Sequence, residues 1–211
     1  MTARRETYHA GLSRATVVSA AVERLRIGGA GGFSIRRLAA ELGVDSMALY
    51  KHVRNKDDLL GAAMRQVFHD VVPREEGEWW ERVRGAYQQH RRVIRDNPWV
   101  LSVMLNEPLE SSEPWGGVEE LLALLEEHLG KQGAARWARL LAAYTNGFLL
   151  TEPDLVDAPE ERDVGSDLPR VGAALRRNAR TGERDFVHGL EVLISAMRAE
   201  ADAQPPLRRV R

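Results

Sequence analysis

The chain has 211 residues, no cysteine and a formal net charge of −1, and 44% of its residues are hydrophobic. This composition suffices for a hydrophobic core, and the lack of cysteine excludes a disulfide framework, a thiolate zinc site and cysteine catalysis. No apolar run approaches the roughly 20 residues that span a bilayer, and the first residues contain no apolar stretch typical of a secretory signal. We therefore expect a cytoplasmic protein without membrane association.

The charge is unevenly distributed along the chain. Residues 1–56 contain ten Lys or Arg and four Asp or Glu, a balance of +6, whereas residues 57–211 contain twenty and twenty-seven, a balance of −7. A basic segment joined to an acidic body is what a protein needs when only one end meets nucleic-acid phosphates. Charge alone leaves open that the unevenness is an ordinary feature of a solvated surface.

Helical periodicity dominates the N-terminal segment. Apolar residues recur at helical spacing behind Ser13 and again behind Ser34, and serine favours the N-cap position. Gly43 ends the second helix, because glycine readily adopts the left-handed conformation needed there. A short third helix is predicted over residues 46–53, and Asn55 caps a fourth.

The rest of the chain is also predicted to be helical. The fourth helix runs to Pro73, and further helices are expected at residues 78–96 and 98–106, on either side of Gly130, and near residues 167–180 and 183–201. Residues 152–167 form a long acidic loop whose spacing matches no known calcium loop. An ordinary solvated loop is the favoured interpretation, and a divalent-ion site there stays open.

Residues 33–60, which read FSIRRLAAELGVDSMALYKHVRNKDDLL, are the most informative segment. The spacing predicts one helix, a turn at residues 43–45 and a second short helix, with the small Ala39 where the two helices cross. The residues spaced to pack these helices together are Leu38, Leu42, Val44 and Leu49. Six others then project outward onto a surface that fits a DNA major groove: Ser46, Met47, Ala48, Tyr50, Lys51 and His52.

Residues 13–68 resemble the DNA-binding domain of the TetR family of bacterial repressors. The resemblance rests on GFSIRRLAAELGV and on ALYKHVRNKDDLL, and the second of these is similar to the tetracycline-repressor branch, which reads LY-x-HV-x-NK. It implies an all-α protein in which residues 1–72 form a three-helix helix-turn-helix domain with a connecting helix. Residues 73–211 would then form a larger helical domain for ligand binding and dimerisation.

The resemblance also assigns roles to residues of the helix-turn-helix. It places Ser34 and Arg36 near the DNA backbone or a base, and it gives base reading to Ser46, Met47 and Ala48, and phosphate contacts to Tyr50, Lys51, His52 and Lys56. The base-reading set has no Gln or Arg for a bidentate contact, so sequence preference is expected to rest on thymine methyl groups, Arg36 and DNA shape. Packing for Tyr50 and plain solvation for Arg36 are the alternatives.

Family members bind a small effector within the C-terminal domain, and the distribution of tryptophan suits such a pocket. Residues 1–72 hold no Trp, whereas all five lie between residues 79 and 137. The pocket candidates are Trp99, Met104, Asn106, Trp115, Leu122, Tyr144, Asn146 and Phe148. Because they include no Arg or Lys, we expect an apolar, at least partly aromatic effector rather than an anion. Core packing is the alternative for each of them.

The resemblance further implies a homodimer that holds two DNA-binding heads over a near-palindromic operator. The family forms a four-helix bundle from two helices of each subunit, for which residues 136–150 and 183–198 are the candidates. The second contributes Phe186, Leu190, Leu193, Ile194 and Met197, with Gly189 permitting a close approach.

No catalytic constellation is present in the sequence, and no cofactor is expected. The chain has no G-x-S-x-G, Walker A, G-x-G-x-x-G or H-E-x-x-H motif. The leading interpretation is a ligand-responsive transcriptional repressor. The alternatives are a constitutive DNA-binding regulator without an effector, and a small helical enzyme or ligand carrier.

Overall fold

The computed structural model describes residues 12–106, 116–152, 170 and 182–203. Secondary structure in these residues is α-helical without strands, which confirms the all-α prediction. The helices are α1 Arg14–Gly28, α2 Ile35–Leu42, α3 Ser46–Tyr50, α4 Lys56–Phe68, α5 Trp79–Asp96, α6 Trp99–Asn106, α7 Gly116–Leu149 and α8 Gly182–Ala203. None of the described helices is long and apolar enough to cross a bilayer.

The described residues divide into two compact units. The first unit contains residues 12–71 together with residues 96–106 and 116–117. The second contains residues 72–95, 118–152, 170 and 182–203. A single domain boundary at residue 72 would place α6 in the C-terminal domain. In the structure α6 instead belongs to the first unit.

The first unit is built on α1, which packs against α4, while α2 packs against α3. The Ser13 hydroxyl accepts a hydrogen bond from the Thr16 backbone N–H, and the Ser13 backbone N–H donates to the Thr16 hydroxyl, so a complete capping box starts α1. Its inward side is fully apolar, as helical periodicity predicts: Val17, Val18, Ala21, Val22 and Leu25 are all buried.

Two helices of the first unit are shorter than the sequence predicts. Helix α3 ends at Tyr50 rather than at residue 53, and α4 ends at Phe68, before Pro73. The end of α3 coincides with a tertiary contact. The carbonyl of His52, which would accept from residue 56 in a continuing helix, instead accepts from the Arg14 guanidinium at 2.8 Å.

Helix α6 is attached to the first unit through a polar contact at the far end of α1. The Arg26 Nε donates to Asn97 Oδ1 at 2.9 Å, and the Asn97 side chain is buried. Val100 and Val103 on α6 are fully buried as well. One polar anchor and two apolar side chains therefore hold α6 in its place.

The second unit has one core shared by α5, α7 and α8. Helix α7 is interrupted at Gly130, whose φ of 66° and ψ of 170° lie outside the helical region, so the predicted helix end at this glycine is confirmed. The Tyr87 hydroxyl of α5 donates to the Ala138 carbonyl of α7 at 2.8 Å. The side chains that are fully buried in this core include Leu125, Leu141, Phe186 and Leu190.

The apolar stripe of α8 packs inside its own subunit, which corrects its assignment to a dimer contact. Four of the five stripe residues predicted for that contact are buried in the core of the second unit, namely Phe186, Leu190, Ile194 and Met197, and Leu193 packs against the same core. Gly189 does allow a close approach, but to Tyr144 of the same chain. The Tyr144 hydroxyl donates to the Phe186 carbonyl at 2.9 Å.

A buried ion pair joins α5 to the residues that follow α7. The Arg91 guanidinium donates to Glu152 Oε1 through Nε at 2.8 Å and through Nη2 at 2.6 Å, and both side chains are 5% exposed. Arg95 lies 3.4 Å from the other carboxylate oxygen. The first residue of the predicted acidic loop is therefore a structural anchor, and the rest of that loop lies outside the described residues.

Candidate nucleic-acid interface

The turn between α2 and α3 has the geometry that the sequence predicts. Gly43 adopts a left-handed conformation with φ 71° and ψ 26°, and the Val44 backbone N–H donates to the Ala39 carbonyl at 3.0 Å. A non-glycine residue at this φ would be strained. The turn is backed by Leu38, Leu42 and Leu49, which are all buried. The orientation of α3 is therefore set by one glycine and an apolar contact.

Helix α3 presents an exposed surface. The Met47 side chain is 69% exposed and Tyr50 is 47% exposed, whereas Ser46 and Ala48 are half-buried. The Asp45 carboxylate caps the helix, accepting from the Met47 backbone N–H at 2.7 Å. A large apolar side chain left in water on a short helix is an arrangement suited to contact with a partner.

Lys51 and His52 do not lie on α3 but in the turn that follows it. Lys51 occupies the C-cap position and is exposed, and His52 is half-buried. Their predicted position on the recognition helix is wrong because α3 ends at Tyr50. Lys56, also half-buried, is the first residue of α4, so the candidate phosphate contacts lie on both sides of one short connection.

Ser34 and Arg36 lie at the start of α2. The Ser34 hydroxyl accepts from the Arg37 backbone N–H at 3.2 Å, which leaves its own proton available to donate. Arg36 is exposed. Within the described residues neither Arg36 nor Lys51 forms an ion pair, whereas neighbouring Arg24 lies 3.0 Å from Glu41. These two exposed cations are therefore available to phosphates.

Sequence reasoning missed the charged cluster that joins α1, α3 and α4. The Arg14 guanidinium forms a bidentate pair with the Asp58 carboxylate: Nη1 donates to Oδ2 at 3.0 Å and Nη2 donates to Oδ1 at 2.9 Å. Asp58 also accepts from the Arg54 backbone N–H at 2.9 Å. A sequence signal did exist, because Arg14 is the first residue of α1, where the helix dipole disfavours a cation.

Asp58 is held as a carboxylate by this cluster. The hydrogen bond from Arg14 lowers the pKa of Asp58 to about 2, against the opposing effect of burial, and the Arg54 backbone N–H adds to the lowering. The Asp58 side chain is only 7% exposed, whereas that of Arg14 is 43% exposed, so solvent screens the pair in part. The cluster is therefore fully formed throughout the neutral pH range.

The effector candidates of α6 belong to the first unit. Trp99 is 3% exposed, and its indole N–H has no hydrogen-bond partner among the described residues. Met104 on the same helix is partly exposed. The side chain of Asn106 and the whole of Trp115 lie outside the described residues. Trp99 is thus a buried donor that lacks an acceptor, an arrangement that costs about 1–3 kcal/mol.

The remaining candidates belong to the second unit. Tyr144 and Phe148 both pack on Phe186, with ring centroids 5.6 and 5.5 Å away, so these two rings have a packing role within the subunit. Leu122 is half-buried against the same core. Asn146 Oδ1 lies 2.9 Å from His90 Nε2, a partner that sequence reasoning missed. Burial lowers the pKa of His90, so its ring is neutral near pH 7.

A short exposed helix that follows a tight glycine turn and lies close in the chain to the exposed Arg36 and Lys51 is typical of the helix-turn-helix class of DNA-binding proteins. The comparisons with known proteins agree with this class. Residues 17–63 match the model for bacterial regulatory proteins of the tetR family. Residues 72–201 match the model for the tetracyclin repressor-like C-terminal domain.

The chain belongs to the TetR family of transcriptional regulators, whose members bind DNA and are not enzymes. The tetracycline repressor protein class D of Escherichia coli is 28% identical over 202 residues, 91% of this chain and 92% of that protein. An HTH-type transcriptional regulator of Saccharopolyspora erythraea is 38% identical over 100 residues, which span 46% of this chain and 42% of that protein.

A solved structure shares the fold over most of the chain. The TetR family protein ActR of Streptomyces coelicolor, in complex with actinorhodin, aligns with a TM-score of 0.75 and 25% identity, covering 92% of this chain and 99% of that one. The enzyme and ligand-carrier alternatives are therefore excluded by family membership.

The ionised Asp58 generates a prediction about acid stability. Since the pKa is lowered in the folded protein, the unfolded chain binds a proton more readily. The stabilisation is therefore complete above the ordinary pKa of 3.8 and is lost as the pH falls towards about 2. We expect Asp58→Asn to be less stable than the unchanged protein at pH 7 and to converge with it near pH 2. Urea unfolding at fixed protein concentration measures this difference, and a difference that is constant across the pH range contradicts the prediction.

Proposed function

We propose that the protein is a ligand-responsive repressor that binds a near-palindromic operator as a homodimer and is released by a small effector. The observation that carries the DNA-binding part is the exposed surface of α3, with Met47 at its centre and the exposed Arg36 and Lys51 beside it. Phosphate contacts by such cations position a protein on DNA, and side chains of the recognition helix then read base edges.

The small and apolar side chains of this surface favour recognition of thymine methyl groups and of DNA shape. Met47 and Ala48 offer methyl and thioether contacts rather than paired hydrogen bonds, and thymine presents a methyl group in the major groove. Arg36 at the start of α2 is exposed, and we propose its guanidinium for a direct base contact. We therefore propose an operator with thymines facing α3, whose recognition also depends on DNA shape.

The first prediction of this proposal concerns salt. The duplex selected by the protein from a random-sequence library should bind with an affinity that falls steeply as salt rises, by about 0.9 logarithmic units per tenfold salt for each phosphate neutralised. Lys51→Ala and Lys56→Ala should each flatten this slope by about one unit. Fluorescence anisotropy titrations over a salt series measure it.

The chain offers a matched control for this experiment. Lys131 is an exposed lysine on α7 in the second unit, and Lys131→Ala removes the same charge. It should leave the slope unchanged. Binding that does not depend on salt, or an equal effect of Lys131→Ala, counts against the assignment of the DNA-binding surface.

The dimer proposal rests on the outer surfaces of α7 and α8, since the inward stripe of α8 is already occupied. Val192 on α8 is 56% exposed and Leu140 on α7 is 43% exposed. Small residues lie beside them on the exposed side of each helix, namely Ala143 and Gly147 on α7 and Ser195, Ala196 and Ala199 on α8. Small side chains around an exposed apolar residue permit the close packing of helices from two subunits.

The second prediction is that Val192→Glu yields a monomer. A charge buried at a helix–helix contact is costly without a partner, and a single head cannot contact two half-sites. Sedimentation at micromolar concentration should show the loss of the dimer, and operator affinity should fall with it. Val118→Glu, at a comparably exposed valine on α7 before Gly130, is the matched control and should remain dimeric. A monomeric unchanged protein refutes the dimer proposal outright.

The effector proposal is supported by the buried indole N–H of Trp99, which has no acceptor among the residues that the structure describes. An apolar ligand with a carbonyl oxygen would supply that acceptor. The relatives named above include a tetracycline repressor and a structure with bound actinorhodin. Tetracycline and actinorhodin are polycyclic compounds with ring carbonyl groups, so they are suitable first probes for a site that includes Trp99.

The third prediction is that a compound from a library of such polycyclic carbonyl compounds, including both probes, perturbs Trp emission and releases the selected duplex. Trp99→Phe keeps an aromatic ring and removes the donor, so it should weaken binding of that compound by about three- to tenfold. Operator affinity should stay unchanged. Trp79→Phe, at a ring that stacks on His128 in the second unit, serves as the control. If no compound changes emission or DNA binding, a regulator without an effector becomes the better interpretation.

A further inference from the structure

The guanidinium of Arg14 contacts both ends of the connection between α3 and α4. On one side it donates to the carbonyl of His52 at 2.8 Å, just beyond the last turn of α3. On the other side it holds both oxygens of Asp58, in the first turn of α4. These partners are 38 and 44 residues away in sequence, so the contact is purely tertiary.

The contact with His52 satisfies a carbonyl that the helix leaves unpaired. A carbonyl after the last turn of a helix has no partner within that helix, and a cation nearby also interacts favourably with the helix dipole. The Asp58 carboxylate also accepts from the Arg54 backbone N–H, and the Asp58 backbone N–H donates to the Asn55 side chain at 2.8 Å. The connection is therefore hydrogen-bonded to the start of α4, and Arg14 links it to α1.

The connection carries the candidate phosphate contacts. Lys51 and His52 are its first two residues, and Lys56 lies directly after it as the first residue of α4. The distance between these side chains depends on the conformation of residues 52–55, which Arg14 and Asp58 hold from outside. A DNA backbone has fixed spacing between phosphates, so cations that are not held at matching positions lose specific affinity.

We propose that Arg14 and Asp58 are positioning residues for DNA recognition, which set the end of α3 and the spacing of the phosphate contacts without contacting DNA themselves. This inference rests on the proposed function. It assigns a role in operator recognition to an ion pair between α1 and α4, outside the helix-turn-helix. The low pKa of Asp58 keeps the pair ionised at every pH at which DNA binding is measured.

A positioning role and a direct phosphate contact predict opposite results for Asp58→Asn. If Arg14 acted on phosphate directly, removing the carboxylate would free its charge and strengthen binding to any duplex. If Arg14 acts by positioning, the same variant weakens binding to the selected duplex by about tenfold, the size expected for one charge-assisted contact. Binding to a shuffled duplex of the same composition then stays equal or becomes tighter.

The experiment measures the affinities of the full chain for the selected and the shuffled duplex. Arg14→Lys keeps the charge but cannot form the bidentate pair with Asp58. It should therefore lower the ratio of the affinity for the selected duplex to that for the shuffled duplex, while the dependence of affinity on salt stays unchanged. The double variant Arg14→Ala with Asp58→Asn should lower this ratio no further than Arg14→Ala does, because both changes break one contact. Glu41→Gln removes an exposed carboxylate that pairs with Arg24 in the same unit, and it should keep the ratio of the unchanged protein.

The ratio also separates positioning from a general loss of folding. Partial unfolding lowers the active fraction and so weakens both duplexes equally, which leaves the ratio unchanged. Should Asp58→Asn not fold, as judged by circular dichroism, the milder Arg14→Lys decides the question. A ratio equal to that of the unchanged protein in the folded variants overturns the inference. If the unchanged protein selects no duplex at all, it is the proposed function that fails.

Discussion

The recognition helix contains five residues, too few for a helix to be stable by itself in water. Its conformation must therefore be imposed at both ends. Gly43 and Asp45 define where it starts, through a left-handed turn and a side-chain cap. At the other end the His52 carbonyl is taken by Arg14, and Asn55 begins the next helix. The conformation of α3 thus depends on its neighbours, and this is why we propose a role in DNA recognition for an ion pair outside the motif.

Helix α1 links two features that the sequence treats separately. Arg14 near its start holds the connection after α3, and Arg26, twelve residues later and about 18 Å along the helix, holds Asn97 before α6. Both contacts lie within the first unit. If the proposed effector binds at Trp99, it acts on a helix that is already tied to α1. A rigid helix with a polar anchor at each end is a suitable element for transmitting such a change.

Three buried or half-buried polar side chains of the second unit have hydrogen-bond partners within that unit. Arg91 is paired with Glu152, His90 with Asn146, and Tyr144 with a backbone carbonyl. Removing one member of such a pair leaves an unsatisfied group in the core, which is strongly destabilising. Within the described part of the first unit, the indole N–H of Trp99 has no such partner. This contrast is why Trp99 carries the effector proposal, while Tyr144, Phe148 and Asn146 have packing or hydrogen-bonding roles besides any contact with a ligand.

The sequence by itself determined the all-helical fold, the family, the caps at Ser34 and Asn55 and the turn at Gly43, because each depends on residues within a few positions or on a specific motif. Only the tertiary structure decided that α3 ends at Tyr50 and that Arg14 binds Asp58. It also decided that the apolar stripe of α8 packs within its own subunit. Periodicity shows that a helix has an apolar side but not which neighbour covers it, since that depends on contacts between residues far apart in the chain.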